Sequence, residues 1–259
     1  MIDTDVLARE IYEAEQARRT IDPLTERFPD LDLVGAYAVQ SGYSELRRRS
    51  GAVLVGAKIG CTSKAMQRYF GIDRPDFGIL LADMQLAEGE PLSRSELIQP
   101  KVEPELAFIL GRDLAGPGVT ADDALAATEY LAPCFEIIDS RIHDWRIRFE
   151  DTVADNGSSA RFVLGTPAPP AGVGDLSAVG VVCRRNDEDP LRADGAAVLG
   201  NPVNAVAWLA NTLGTFGTGL RAGDIVLSGS FTAAMDCAPG DAFRASFSGV
   251  GEIRLSVRP

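Results

Sequence analysis

The stretch that decides the interpretation of this chain is residues 101–110, KVEPELAFIL. Side chains of a strand alternate between its two faces, so Glu103 and Glu105 share one face while Leu106 and Phe108 occupy the other. Two carboxylates on a strand this apolar would repel each other and lose hydration, at a cost of several kcal/mol. A divalent cation would relieve both costs. The alternative is a solvated edge strand with two surface glutamates.

A third glutamate lies in a similar setting. Glu136 interrupts the apolar run 132–139, APCFEIID. It is either a buried carboxylate held by backbone N–H groups or by Arg141, or the third member of a facial carboxylate triad. Oxygen-only ligands favour Mg²⁺ or Mn²⁺ over zinc, and three of them leave positions for substrate and water. Asp139 is the next candidate, as a ligand or as a group that orients one.

Two further segments carry polar groups among apolar or small residues. Lys58 lies in the predicted strand 52–60, AVLVGAKIG, where it would neutralise an anionic site and transfer protons, or else extend to the surface as a solvated lysine. The run 155–159, DNGSS, is either an ordinary turn or a loop that grips a carboxylate oxygen. The single histidine, His143, excludes a multi-histidine zinc site and is interpreted as a surface or structural residue.

The composition limits the classes of partner that the protein is expected to bind. The 259 residues are 46% hydrophobic and 24% charged, which is typical of a globular protein. A net charge of −12 argues against nucleic acid or an anionic membrane as a partner. No run approaches the roughly 18 apolar residues of a membrane span, and the N-terminus lacks the apolar core of a signal peptide. The four scattered cysteines predict reduced thiols in a cytoplasmic protein.

The order of elements predicts an α+β fold with a mixed sheet. Periodicity predicts helices over residues 3–19, 32–49, 62–71 and 201–216. Alternating runs between Gly and Pro turns predict strands over 52–60, 101–111, 131–140, 219–230 and 243–257. We therefore expect a helical N-terminal segment, 1–52, packed on a larger catalytic body, 53–259, with a loop at 166–174 that would divide this body into two lobes.

Seven ordered motifs carry a resemblance that covers nearly the whole chain. They are 58–67 (KIGCTSKAMQ), 73–78 (DRPDFG), 102–105 (VEPE), 136–142 (EIIDSRI), 153–159 (VADNGSS), 200–210 (GNPVNAVAWLA) and 224–230 (DIVLSGS). Together they resemble the 2-keto-4-pentenoate hydratases, with the 4-oxalocrotonate decarboxylases as close relatives, in the fumarylacetoacetate hydrolase superfamily.

The resemblance implies a mixed β-roll surrounded by helices. It also implies Mg²⁺ or Mn²⁺ at Glu103, Glu105 and Glu136, an active-site lysine at Lys58 and an acidic partner at Asp76. Four hydroxyl residues are the candidate contacts for a 2-oxo or 2-hydroxydienoate substrate: Thr62, Ser63, Ser158 and Ser159. The relatives further imply a homo-oligomer, a pentamer or decamer, and contact with a downstream aldolase.

The reaction implied is hydration of 2-hydroxypenta-2,4-dienoate to 4-hydroxy-2-oxopentanoate, in meta-cleavage degradation of aromatic or sterol rings. Segments 73–78 and 145–152 resemble the hydratase branch, whereas 159–162 and 232–234 resemble the decarboxylases. Decarboxylation of a 4-oxalocrotonate would use the same metal site. Hydrolysis of an acylpyruvate needs a base, and His143 lies in the wrong motif for it. A metal-binding accessory subunit without activity is the non-enzymatic alternative.

Overall fold

The computed structural model describes residues 2–259, and within this range the chain forms seven α-helices and thirteen strands. The helices are α1 (Thr4–Ala17), α2 (Leu24–Arg27), α3 (Leu33–Arg49), α4 (Lys64–Phe70), α5 (Ala121–Ala127), α6 (Phe149–Ala154) and α7 (Pro202–Thr215). The strands are β1 (Leu54–Gly60), β2 (Asp76–Leu81), β3 (Gln85–Leu86), β4 (Leu92–Ser93), β5 (Lys101–Leu110), β6 (Thr128–Ile138), β7 (Ser159–Leu164), β8 (Gly180–Arg185), β9 (Leu191–Asp194), β10 (Ile225–Leu227), β11 (Met235–Asp236), β12 (Ala242–Phe247) and β13 (Gly251–Arg258).

The four predicted helices are confirmed, and their ends follow from local chemistry. Asp3 and Asp32 cap α1 and α3 by accepting hydrogen bonds from backbone N–H groups of the first turn. Ser63 caps α4, which ends at Gly71 in the left-handed conformation. Pro202 opens α7, where its missing N–H costs nothing.

The strands form two sheets, which confirms the predicted α+β class. An eight-stranded mixed sheet has the order β2-β1-β10-β5-β6-β7-β3, with β11 also paired to β5. A five-stranded sheet has the order β4-β13-β12-β8-β9. The apolar face of β5, with Leu106 and Phe108, shares one core with Phe243 and Phe247 of the second sheet. The opposite face of β5 therefore remains for the glutamates.

Two strand predictions needed adjustment. The strand predicted over 219–230 is only three residues long, because Asp224 closes a turn by accepting a hydrogen bond from the N–H of Arg221 at 2.7 Å. The segment 243–257 is two strands, β12 and β13, joined by a turn. Short-range alternation predicts extended chain, but it does not show where side chains close turns.

The N-terminal helices pack on a later part of the chain. Ile11 of α1 and Val39 of α3 share an apolar cluster with Phe149 and Val153 of α6. The division at residue 52 stays a prediction, since this cluster joins residues from both sides of it. Across residues 2–259, every helix is too short or too polar to cross a membrane.

Candidate active site

The three glutamates predicted as metal ligands converge on one face of the eight-stranded sheet. Glu103 of β5 lies directly opposite Glu136 of β6 in the antiparallel ladder, and Glu105 follows two residues along the same face. One carboxylate oxygen from each lies within 4.8 Å of the other two. Glu105 and Glu136 are 1% and 0% exposed, and Glu103 is partly buried. The pairing register alone thus builds the cluster.

The negative charge of this cluster is only partly balanced by its surroundings. Both carboxylate oxygens of Glu136 are buried without a hydrogen-bond partner among the described residues. Burial and the charge of Glu136 raise the pKa of Glu103 to about 7, and they raise the pKa of Glu105 well above its usual range. One oxygen of Glu105 accepts a hydrogen bond from the N–H of Gly229 at 2.8 Å. Buried carboxylates with unused oxygens are a donor set that fits a hard divalent cation.

Lys58 lies beside the cluster on β1. Its Nζ atom is 3.6 Å from Oε2 of Glu136, and the residue is 4% exposed. Burial by itself would lower the pKa of Lys58, but the charges of Glu136 and Asp76 outweigh it and hold the pKa above its usual range. Lys58 is therefore a buried ammonium that neutralises only part of the carboxylate charge.

Asp76 reaches the same place from β2. It pairs with Gly60 in the ladder, is 1% exposed, and has its pKa raised by burial. A Cβ atom on Gly60 would lie 2.3 Å from Oδ1 of Asp76, so only glycine allows this approach. One carboxylate oxygen, Oδ1, has no hydrogen-bond partner within residues 2–259. Lys58 and Asp76 thus form a titratable pair beside the three glutamates.

A turn with a strained backbone borders the site. Asn156, Gly157 and Ser158 all adopt left-handed backbone conformations, which two non-glycine residues rarely do. The amide of Asn156 accepts from the N–H of Ile79 and donates to its carbonyl, which fixes the turn to β2. A Cβ atom on Gly157 would lie 2.6 Å from Cε of Lys58, so the 155–159 segment is a wall packed closely against that lysine.

A buried ion pair anchors this turn. Nε of Arg141 lies 2.6 Å from Oδ1 of Asp155, with both side chains at most 2% exposed. The alternative in which Arg141 holds Glu136 is therefore wrong, because the guanidinium is engaged elsewhere. Asp139 also has another task, since its oxygens accept from the N–H groups of Ile98 and Gln99 at 2.8 and 2.6 Å. It is not in the carboxylate cluster.

A cavity of about 530 Å³ opens over these groups. Of the predicted site residues, it is lined by Lys58, Thr62, Ser63, Asp76, Glu103, Glu105 and Ser158. Glu136 and Ser159 do not line it, and the hydroxyl of Ser159 is buried without a partner among the described residues. The hydroxyl of Ser63 accepts from the N–H of Met66 at 3.2 Å, so capping α4 already employs this group. His143 lies outside the cavity and its ring bonds to Thr20.

The apolar wall of the cavity was missed by sequence reasoning. It includes Met66, Tyr69, Phe70, Trp145, Ile147 and Phe231. These residues come from three separate segments and show no shared periodicity, so only the tertiary fold brings them together. The single sequence signal was the 145–152 segment, which resembles the hydratase branch. Trp145 is fixed by donating a hydrogen bond from its indole N–H to the carbonyl of Gln99 at 3.1 Å.

Comparison with known proteins assigns this chain to a family. Residues 40–258 match the fumarylacetoacetate (FAA) hydrolase C-terminal family. The chain therefore belongs to the fumarylacetoacetate hydrolase family, as the motifs predicted.

Particular relatives can be named within it. The chain is 46% identical to the 2-keto-4-pentenoate hydratase of Paraburkholderia xenovorans (strain LB400), over 95% of this chain and 92% of that protein. It is 45% identical to the 2-hydroxyhexa-2,4-dienoate hydratase of Comamonas testosteroni, over 93% and 92%. Among solved structures, the 4-oxalocrotonate decarboxylase from Pseudomonas putida G7, complexed with magnesium and adipate, has a TM-score of 0.94. Its identity is 35%, over 98% of this chain and 97% of that one.

Proposed function

We propose that this protein is a metal-dependent hydratase that adds water to a 2-hydroxy-2,4-dienoate, with 2-hydroxypenta-2,4-dienoate as substrate and 4-hydroxy-2-oxopentanoate as product. The observation that carries this proposal is the buried triad of Glu103, Glu105 and Glu136 beside Lys58 and Asp76. The names of the hydratase relatives support the reaction type.

Glu103, Glu105 and Glu136 are the proposed ligands of Mg²⁺ or Mn²⁺. The unpartnered buried oxygens of Glu136 fit such an ion, and the decarboxylase neighbour is complexed with magnesium. A bound divalent ion would supply Lewis acidity and so lower the cost of negative charge on the C2 oxygen of the substrate. The protein's own task is to hold the three carboxylates together on one face of the sheet and to shield them from water.

Lys58 and Asp76 are the proposed proton-transfer groups. Hydration requires protonation at C5 with loss of the C2 hydroxyl proton, which gives the 3-en-2-one. Water then adds at C4 and gives up a proton, and the resulting enolate is protonated at C3. Both side chains line the cavity. The raised pKa of Asp76 favours the protonated form that a donor needs, whereas the raised pKa of Lys58 keeps that side chain an ammonium. The Lys58 ammonium also stabilises negative charge that develops on the substrate.

The charges of the residues that line the cavity favour a substrate with an uncharged tail. Of the described residues that line the cavity, only Lys58 and Lys101 are cationic. Lys58 is paired with Glu136, and Nζ of Lys101 lies 3.1 Å from Asp236 and over the ring of Trp145. A second carboxylate, as in 4-oxalocrotonate, would therefore meet apolar side chains and no free cation, at a desolvation cost. This favours hydration of a monocarboxylate over decarboxylation of a dicarboxylate.

The four hydroxyl residues proposed to contact the substrate are not equally well placed to do so. They are Thr62, Ser63, Ser158 and Ser159. Thr62 and Ser158 line the cavity and are the proposed substrate contacts. Ser63 lines it as well, but its hydroxyl already caps α4. Ser159 would act only indirectly, through residues that line the cavity, because it is 0% exposed and does not line the cavity itself.

The biological setting follows from the same chemistry. We propose a role in meta-cleavage degradation of aromatic or sterol rings, in the cytoplasm, where the four free cysteines would stay reduced. The proposed assembly is a homo-oligomer, a pentamer or decamer, and the 4-hydroxy-2-oxo product would pass to an aldolase that contacts it.

A two-substrate assay tests the reaction. Purified protein with Mg²⁺ is given 2-hydroxypenta-2,4-dienoate and, separately, 4-oxalocrotonate, while 4-hydroxy-2-oxopentanoate and CO₂ are both followed. We expect Mg²⁺-dependent hydration of the dienoate without CO₂ release from either substrate. Release of CO₂ from 4-oxalocrotonate with no hydration of the dienoate would replace the hydratase by a decarboxylase. No turnover of either substrate would leave the accessory-subunit alternative.

A further inference from the structure

A row of three arginines crosses the outer face of the five-stranded sheet. Arg244 of β12 is directly opposite Arg184 of β8 on one side and Arg254 of β13 on the other. All three are exposed and alternate along their strands with core residues such as Cys183, Ala245 and Ile253, so they point away from the core. Directly opposed residues have Cβ atoms about 5 Å apart, so the three positive charges lie side by side.

This arrangement is unfavourable in an isolated chain. Like charges directly opposite each other destabilise a sheet. Arg254 lies 3.8 Å from Glu252, with both side chains more than half exposed, and Arg184 donates to the carbonyl of Glu188. Within residues 2–259, Arg244 has neither an ion-pair nor a hydrogen-bond partner. The central charge of the row is left uncompensated.

The surroundings of the row make a docking surface. The three arginines line a groove of about 570 Å³ on this face. Arg192 of β9, opposite Val182, adds a fourth positive charge beside it. Val182 exposes an apolar side chain, 37%, on the same face. Arginine is enriched at protein interfaces.

We propose that this arginine face docks the acidic surface of a second copy of the same chain. The chain carries 37 acidic and 25 basic side chains, a net charge of −12, so the surface outside the arginine face is strongly anionic. Another copy therefore brings the complementary charge in its own sequence. A contact between unlike faces is heterologous, and heterologous contacts close into rings, including rings of odd number. The inference rests on the proposed homo-oligomer but not on the hydratase chemistry.

Charge reversal at the centre of the row tests this inference. Sedimentation velocity is measured on wild type, Arg244→Glu, Arg244→Lys and Arg9→Glu, the last at an exposed arginine of α1 that serves as control. We expect Arg244→Glu to raise the dissociation constant of the assembly about a hundredfold or more, because it places like charges across the interface. Arg244→Lys and Arg9→Glu should sediment as wild type does. Salt should weaken the wild-type assembly.

Three results would overturn the inference. They are a wild-type protein that stays monomeric at every concentration, an Arg244→Glu assembly of unchanged mass and affinity, and an equal loss of assembly in Arg9→Glu. Binding of inorganic phosphate to the row without any effect on mass would count against it as well, since the face would then serve a small anion. Far-UV circular dichroism checks that each variant is folded. Hydration activity is scored separately, so failure of the proposed reaction cannot be mistaken for failure of the interface.

Discussion

The molecule has two clusters of like charge, and both are built by strand register. On the eight-stranded sheet the ladder brings Glu103 opposite Glu136, and on the five-stranded sheet it brings Arg244 opposite Arg184 and Arg254. The glutamates are buried, with pKa values raised for Glu103 and Glu105, whereas the arginines are exposed. The difference shows that burial decides the need for a counter-charge. Uncompensated charge is costly in a buried cluster, whereas water and salt screen it in an exposed one.

Among the substitutions considered, Glu105→Gln in the buried glutamate cluster should have the largest effect on kcat/KM. Glutamine keeps the hydrogen bond from Gly229 but removes one ligand charge. If the site supplies several kcal/mol of charge stabilisation through its ion, kcat/KM for hydration should fall about a thousandfold. Glu129→Gln, at an exposed position on β6, is the matched control and should retain activity. Comparable kcat/KM in the two variants would be incompatible with the triad.

Lys58→Met should have the next largest effect. It removes the buried ammonium between Glu136 and Asp76, and general acid–base groups contribute roughly a hundredfold or more. We expect kcat to fall by at least about a hundredfold while the protein remains folded. Lys64→Met, at an exposed position on α4, controls for the loss of a lysine and should leave kcat unchanged. A Lys58→Met enzyme with wild-type kcat would remove Lys58 from the mechanism.

Metal removal should expose the cost of burying the glutamates. With Mg²⁺ at about a hundred times its Kd, wild type should gain about 2.7 kcal/mol of stability relative to the chelated protein. In chelator, Glu105→Gln should be more stable than wild type by about 1 kcal/mol, or 2–4 °C in Tm, because one buried like charge is gone. Calorimetry with and without EDTA measures both. A variant less stable than wild type in EDTA would show that the triad is neutralised without an ion.

The exposed cluster should give the smallest effect. Arg244→Gln relieves the row and should stabilise the separated subunit by roughly 0.2–1 kcal/mol in low salt, with the gain lost in high salt. Denaturant unfolding at a protein concentration that keeps the subunits apart checks this. A gain that persists unchanged in high salt would point to side-chain packing rather than charge.

Local pattern predicted much of the fold and the chemical identity of the site. Periodicity was enough for α1, α3 and α7, and the charged residues inside apolar strands marked Glu103, Glu136 and Lys58. What these residues face depends on pairing between distant strands, as when β1 lies between β2 and β10. For that reason the sequence makes Asp139 a candidate ligand, although its oxygens accept from Ile98 and Gln99. It likewise makes Ser159 a candidate substrate contact, although Ser159 is buried.

The apolar wall and the arginine row could not be predicted from the sequence for the same reason. Trp145 and Phe231 are distant in the chain and meet only across the cavity. Alternation shows that Arg184, Arg244 and Arg254 each face outward, but only the register shows that they are neighbours.

Calorimetric titration of metal-free wild type, Glu105→Gln and Glu129→Gln with Mg²⁺ or Mn²⁺ tests the central claim most directly. We expect one ion per chain in wild type and in Glu129→Gln, and binding at least about a hundredfold weaker in Glu105→Gln. Equal affinity in all three proteins would contradict the assignment of Glu103, Glu105 and Glu136 as the metal centre.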